Sequence, residues 1–200
     1  MILLRDTNMV VEYNMDKEKE IDMRKIIMNL AMSLDGYIAS EAGTFDWIVG
    51  DGDNTLNTEK SFDFEKFLSS VDTVVMGRKA FEDCPLEMFS NHKILVATSQ
   101  LKESYDNVKF INGDLANCLK DEQQKPGKDI YLFGGGGLID PLIKADVIDE
   151  YIVGIVPVIL GKGRQLFYDN NPTIKLHLED YTISDGIMIM TYTKRKQMLN

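Results

Sequence analysis

The chain has 200 residues, 44% hydrophobic and 27% charged, with 15 Gly and 5 Pro. These proportions describe an ordinary globular domain and exclude collagen, coiled coil and extensive disorder. Asp and Glu outnumber Lys and Arg by 32 to 22, a net charge of −10. That acidity argues against a nucleic-acid partner and requires any anionic ligand to be held by a local group of cations.

In chain order, residues 1–22 carry three basic and six acidic residues without sustained periodicity. They read as an extension preceding a domain of residues 23–196. From Met23 onward, short β-rich runs alternate with helical patterns. Strands are predicted over Lys25–Met32, Thr73–Met76, Lys93–Ala97, Val108–Ile111, Ile130–Phe133, Tyr151–Pro157, Ile174–Thr182 and Ile187–Thr193. Helices are predicted over Phe62–Ser69, Arg78–Asp83, Leu115–Gln123 and Leu138–Lys144. Most early strands are continuous apolar runs, the pattern of a sheet covered on both faces. The last two alternate around Ser184-Asp185-Gly186, as an antiparallel hairpin does. The expected fold class is α/β, with a mixed, mainly parallel central sheet flanked by helices and a C-terminal antiparallel hairpin.

Cys84 and Cys118 form no CxxC pair and no zinc-ligand spacing, and His92 and His177 are the two histidines. No metal site is expected, and the thiols are expected free in a reducing compartment. The longest apolar stretch, Tyr151–Leu160, has 10 residues and contains Gly154 and Pro157, against roughly 20 needed to cross a membrane. The N-terminus lacks the apolar core of a signal peptide. A cytoplasmic protein without a membrane partner is expected.

Four motifs carry chemistry. A buried strand runs into Gly134, Gly135, Gly136 and Gly137, and then into an apolar helical pattern from Leu138. Glycines there let backbone N–H groups approach a ligand, and a helix N-terminus favours phosphate. The GxGxxG fingerprint fails, because Ile139 or Asp140 stands where its last Gly belongs. A second strand ends in Gly77, and Arg78 and Lys79 follow. Cations at a helix N-terminus oppose the macrodipole, so an anion is expected nearby. Thr98 and Ser99 end a third strand with two hydroxyls suited to phosphate or ribose. Gly154 to Gly163 fails as a P-loop, having six residues between Gly154 and Gly161 and no Ser or Thr after Lys162. Gly161, Lys162, Gly163 and Arg164 read as a basic turn closing a strand.

The order of these motifs resembles the dihydrofolate reductase superfamily, especially single-domain proteins similar to the reductase domain of riboflavin-biosynthesis deaminase-reductases. The carrying residues are Ala31-Met-Ser-Leu-Asp-Gly-Tyr-Ile-Ala39, Val75-Met-Gly-Arg-Lys-Ala-Phe-Glu82, Val96-Ala-Thr-Ser-Gln100, Phe133-Gly-Gly-Gly-Gly-Leu138 and Pro157-Val-Ile-Leu-Gly-Lys-Gly163. The resemblance implies NADPH as hydride donor. It places Arg78 and Lys79 near the cofactor phosphates, Thr98 and Ser99 near the adenosine 2′-phosphate, and Gly134 to Leu138 along the pyrophosphate and nicotinamide ribose. Ser33, Asp35 and Gly36 would border the nicotinamide and a small-molecule substrate, and Asp35 or Asp46 would supply a proton if water does not. A turn role for either aspartate stays open. The leading reaction implied is reduction of a ribosylamino-uracil phosphate to its ribityl form. Dihydrofolate reduction and a non-catalytic NADPH sensor are the alternatives. The resemblance also implies a homodimer, formed on Tyr151–Leu160 and Ile187–Met190. Two departures remove contacts to a sugar phosphate: Phe133 stands where the riboflavin reductases often carry Glu, and Tyr37 where they tend to carry Lys.

Overall fold

The computed structural model describes residues 23–195. The expected N-terminal extension, residues 1–22, lies outside the described residues. Eight strands form one sheet: β1 (Ile26–Ser33), β3 (Val71–Gly77), β4 (Lys93–Ala97), β5 (Val108–Ile111), β6 (Asp129–Gly134), β7 (Glu150–Val156), β9 (Leu176–Ser184) and β10 (Ile187–Lys194). Two further strands, β2 (Tyr37–Ala39) and β8 (Arg164–Gln165), pair as a small antiparallel ribbon. The helices are α1 (Phe64–Ser70), α2 (Arg78–Asp83), α3 (Leu115–Gln123) and α4 (Gly136–Lys144), with a single 3₁₀ turn at Leu86–Phe89.

The sheet order is β5-β4-β3-β6-β1-β7-β10-β9. Every pairing from β5 to β7 is parallel, and β10 is antiparallel to both β7 and β9. This is the mixed, mainly parallel α/β sheet read from the sequence. Consecutive apolar residues on one strand serve opposite faces. Ile26 and Met28 pack with Leu138, Ile139 and Leu142 of α4, while Ile27 packs with Phe67 of α1 and with Phe89. On that second face Tyr131 meets the edge of Phe67 at 5.0 Å, and Phe89 meets Phe133 at 5.3 Å. Such pairs stabilise a core beyond the area they bury.

The hairpin closes through Asp185 and Gly186, at φ 54° and 74°, a two-residue turn whose twist suits flanking strands. Within the run Tyr151–Leu160, Tyr151, Ile152, Val153 and Val156 are buried in the sheet, while Pro157 and Ile159 beyond β7 are exposed. In the neighbouring hairpin, Met188 is exposed and Ile187, Ile189 and Met190 are half-buried. The register sets Met190 opposite Tyr181 and Tyr192 opposite Leu178, with an irregularity between Thr191 and Tyr192. That keeps Tyr181 and Leu178 on one face, where they are 53% and 46% exposed. Among the described residues no helix is long and apolar enough to cross a membrane.

Candidate functional site

The carboxyl ends of parallel strands are where open α/β sheets bind ligands. β3 ends at Gly77 and turns into α2, β4 ends at Ala97 before Thr98, and β6 ends at Gly134 before α4. Together they line an open cleft of ≈ 1680 Å³. That exceeds the roughly 300–1,000 Å³ of a single small-molecule site, leaving room for a dinucleotide and a second reactant.

The glycine run divides into three roles. Gly134 closes β6, Gly135 is the N-cap of α4, and Gly136 and Gly137 form its first turn. The helix therefore begins two residues earlier than the apolar pattern at Leu138 suggests. Gly135 has φ 94°, and a Cβ there would meet no atom within 4 Å. The position combines a conformation that L-residues rarely adopt with open space, so its backbone is bare to the cleft. Helices α1 and α3 are capped by Asp63 and Asp114, whose carboxylates accept from Lys66 N at 2.8 Å and Asn117 N at 3.0 Å. No side chain caps α4. Its first N–H groups have no intrahelical acceptor and face the cleft with the positive end of the helix dipole.

The cations divide as well. Arg78 Nη1 lies 2.9 and 2.7 Å from the two carboxylate oxygens of Glu82, so much of the anion expected at this helix start is supplied by the helix itself. Lys79 has no acid or acceptor partner among the described residues and lines the cleft beside Thr98 and Ser99. Thr98 Oγ1 accepts from Gln100 N at 3.1 Å, and the Ser99 carbonyl accepts from Asn112 Nδ2 at 3.2 Å. Those bonds fix the hydroxyl-bearing turn.

All ten residues expected to hold a cofactor, Gly77, Arg78, Lys79, Thr98, Ser99 and Gly134 to Leu138, line this one cleft. Ser33, Gly36, Asp35 and Asp46 do not. The buried Ser33 hydroxyl donates to Asp35 at 2.6 Å and accepts from Tyr37 N at 2.9 Å. Asp35 also accepts from Leu160 N at 3.1 Å and Gly161 N at 2.7 Å. The Ser33 hydrogen bond, helped by these two backbone donors, holds its carboxyl below the ordinary aspartate range. Gly36 has φ 88° in the same turn. Asp46 is exposed, while its neighbours Phe45 and Ile48 reach the cleft.

Sequence reasoning did not assign Arg164, in the strand paired with β2, or Tyr168 to the site, and both line the cleft. A Cβ on Gly136 would collide with the Gln165 carbonyl oxygen and press on the Tyr168 ring at 3.0 Å, so the carbonyl's close approach requires glycine. The remaining wall is largely apolar, with Leu30, Ile38, Phe45, Met88 and Phe133. Burial, with a smaller effect from Glu87, pushes the thiol of Cys84 in this wall above its ordinary range.

With this geometry in hand, the chain compares with known proteins as follows. The model of the RibD C-terminal domain matches residues 24–86 and 84–188. The uncharacterized protein YyaP of Bacillus subtilis (strain 168) is 32% identical over 188 residues, 86% of this chain and 96% of that protein. A putative riboflavin biosynthesis protein from Shewanella sp. PV-4 superposes with a TM-score of 0.71 at 26% identity, covering 87% of this chain and 100% of that one. The dihydrofolate reductase of Enterococcus faecalis, solved with NADP(H), shares the fold at 16% identity, with a TM-score of 0.58 and coverage of 86% and 97%.

Proposed function

Because the chain belongs to the RibD C-terminal domain family, we propose that it is an NADPH-dependent reductase. Its substrate is a pteridine-like or aminopyrimidine compound, and the ribosylamino-uracil phosphate implied by the resemblance is the leading candidate. The single observation that carries this reading is the convergence of three strand ends on one cleft large enough for cofactor and substrate. The residues fit a dinucleotide. Gly135 leaves backbone bare, and among the described residues α4 lacks a side-chain cap and Lys79 is unpaired beside two hydroxyls.

When bound, NADPH would supply a hydride to the carbon of a C=N or C=O bond, with a proton going to the heteroatom. The protein's part is to hold the two reactants in register and to shelter the reacting carbon with apolar wall. Asp35 acts as a positioning residue, tying the turn after β1 to the Leu160–Gly161 backbone. Water entering the open cleft is the proton source, since that carboxylate is engaged and Asp46 lies off the wall. The exposed apolar side chains of β9 and β10 are the contact we assign to a homodimer, by the same family likeness. A monomeric mass from light scattering at micromolar concentration contradicts that assignment.

Parallel titrations with NADPH and NADH test the cofactor assignment. NADPH is expected to bind more tightly, because Lys79, Thr98 and Ser99 meet the extra phosphate, with the preference narrowing as salt rises. Equal affinities at low salt remove the adenosine-site assignment.

A further inference from the structure

The basic turn that fails as a P-loop holds two cations in different surroundings. Lys162 Nζ lies 2.6 Å from the Glu41 carboxylate, and both side chains are well exposed. Arg164 has no acid and no acceptor partner among the described residues, although it is half-buried and lines the cleft. Its position is set from two sides. Arg164 pairs with Ala39 of β2, and its guanidinium lies over Gly43, with the guanidinium carbon 2.8 Å from where a Cβ would stand. The carbonyl of the next residue, Gln165, lies against Gly136, where a Cβ would collide with it. The strand β8 is thereby fixed to the first turn of α4.

A guanidinium presents five donors in a planar fork that suits phosphate. Leaving such a group half-buried and unpaired is unfavourable unless a bound anion takes it. The chain has 32 acids to offer, and Lys162, two residues away, takes one of them. The uncapped N–H groups of α4 begin at the residue that Gln165 touches.

We propose that Arg164 receives the pyrophosphate of the bound dinucleotide from the β8 side of the cleft, a role that rests on the dinucleotide reading above. Backbone N–H groups of α4 and the Arg164 fork then meet one anion from two elements. Lys79 sits on the β3–α2 side, with the residues assigned to the 2′-phosphate. The two cations therefore differ in signature: Arg164 acts on what NADPH and NADH share, and Lys79 on what distinguishes them.

The test is calorimetric titration of NADPH and NADH into the wild type, Arg164→Gln and Arg164→Lys, with thermal melting as the fold control. Arg164→Gln is expected to weaken both dinucleotides by about tenfold, the size of one lost charge-assisted hydrogen bond. The NADPH-to-NADH ratio should stay unchanged, and Arg164→Lys should recover part of the loss. Wild-type affinity in Arg164→Gln overturns the proposal, as does a loss confined to NADPH. If Arg164→Gln does not fold, Arg164→Lys decides: a parallel loss for both dinucleotides supports the role and wild-type affinity overturns it. A wild type that binds neither dinucleotide overturns the parent reading instead, which separates the two failures.

Discussion

The two ends of the same parallel strands are built on opposite electrostatic plans. At the amino ends, charges are paired. Buried Arg24, just before β1, bonds to Asp72, to the Glu122 carboxylate at 3.3 Å and to Thr73 Oγ1 at 2.8 Å. Glu122 also receives Lys93 at 2.6 Å and Lys125 at 2.7 Å. At the carboxyl ends, Lys79 and Arg164 are unpaired and α4 is uncapped among the described residues, and Gly135 leaves backbone bare. The amino-end network ties β1, β3, β4 and α3 together. Under the proposed function, the open groups at the other end are assigned to a bound molecule. In a chain of charge −10, free cations collected in one cleft mark the binding end more clearly than cation number does.

The largest expected effect breaks the paired end alone. Burial pushes the Glu122 carboxyl up, but the ammonium groups of Lys125 and Lys93 outweigh it and hold the group at about 2. A depressed carboxylate contributes stability above its unfolded value near 4.5 and loses it as pH falls toward 2. Because the pairing lysines are partly solvent-exposed, the contribution at neutral pH is about 1–3 kcal/mol. Urea unfolding at pH 7 and pH 3 should show Glu122→Gln destabilised at pH 7 and less sensitive to acid than wild type. Its affinity for NADPH at pH 7 should match wild type, since the network lies at the far end of the strands. A weakened affinity in the folded variant would mean the two ends are coupled and the comparison fails.

A smaller effect sharpens the binding end. In the titrations of the two dinucleotides, Lys79→Met should narrow the NADPH preference by about tenfold or less, as an exposed charge does. Its unfolding midpoint should stay within the small range of surface substitutions.

Much of the sheet was legible because buried parallel strands are short apolar runs, and the hairpin because Asp185-Gly186 accepts positive φ at both turn positions. The cleft side formed by β3, β4 and β6 was legible for a similar reason: glycines and hydroxyls at strand ends leave a residue-type signal. The ribbon β2–β8 was not, since strands of three and two residues carry no periodicity. From the sequence Arg164 reads only as part of a basic turn, because nothing local shows that it lies over Gly43 and that its neighbour Gln165 lies against Gly136. The engagement of Asp35 was hidden too. Two of its partners are backbone N–H groups 125 and 126 positions away, which no residue type announces.

The central claim is that the strand end at β6 seats a dinucleotide on bare backbone. Gly135→Val tests it most directly, read by circular dichroism and NADPH titration beside wild type. A β-branched residue at φ 94° is strained, at a cost of about 1–3 kcal/mol. Its side chain fills the open space over the loop. The expected result is a folded protein with native-like circular dichroism and no measurable NADPH binding. Wild-type affinity in that variant would show that the glycine run is only a turn and would contradict the assignment of the cleft.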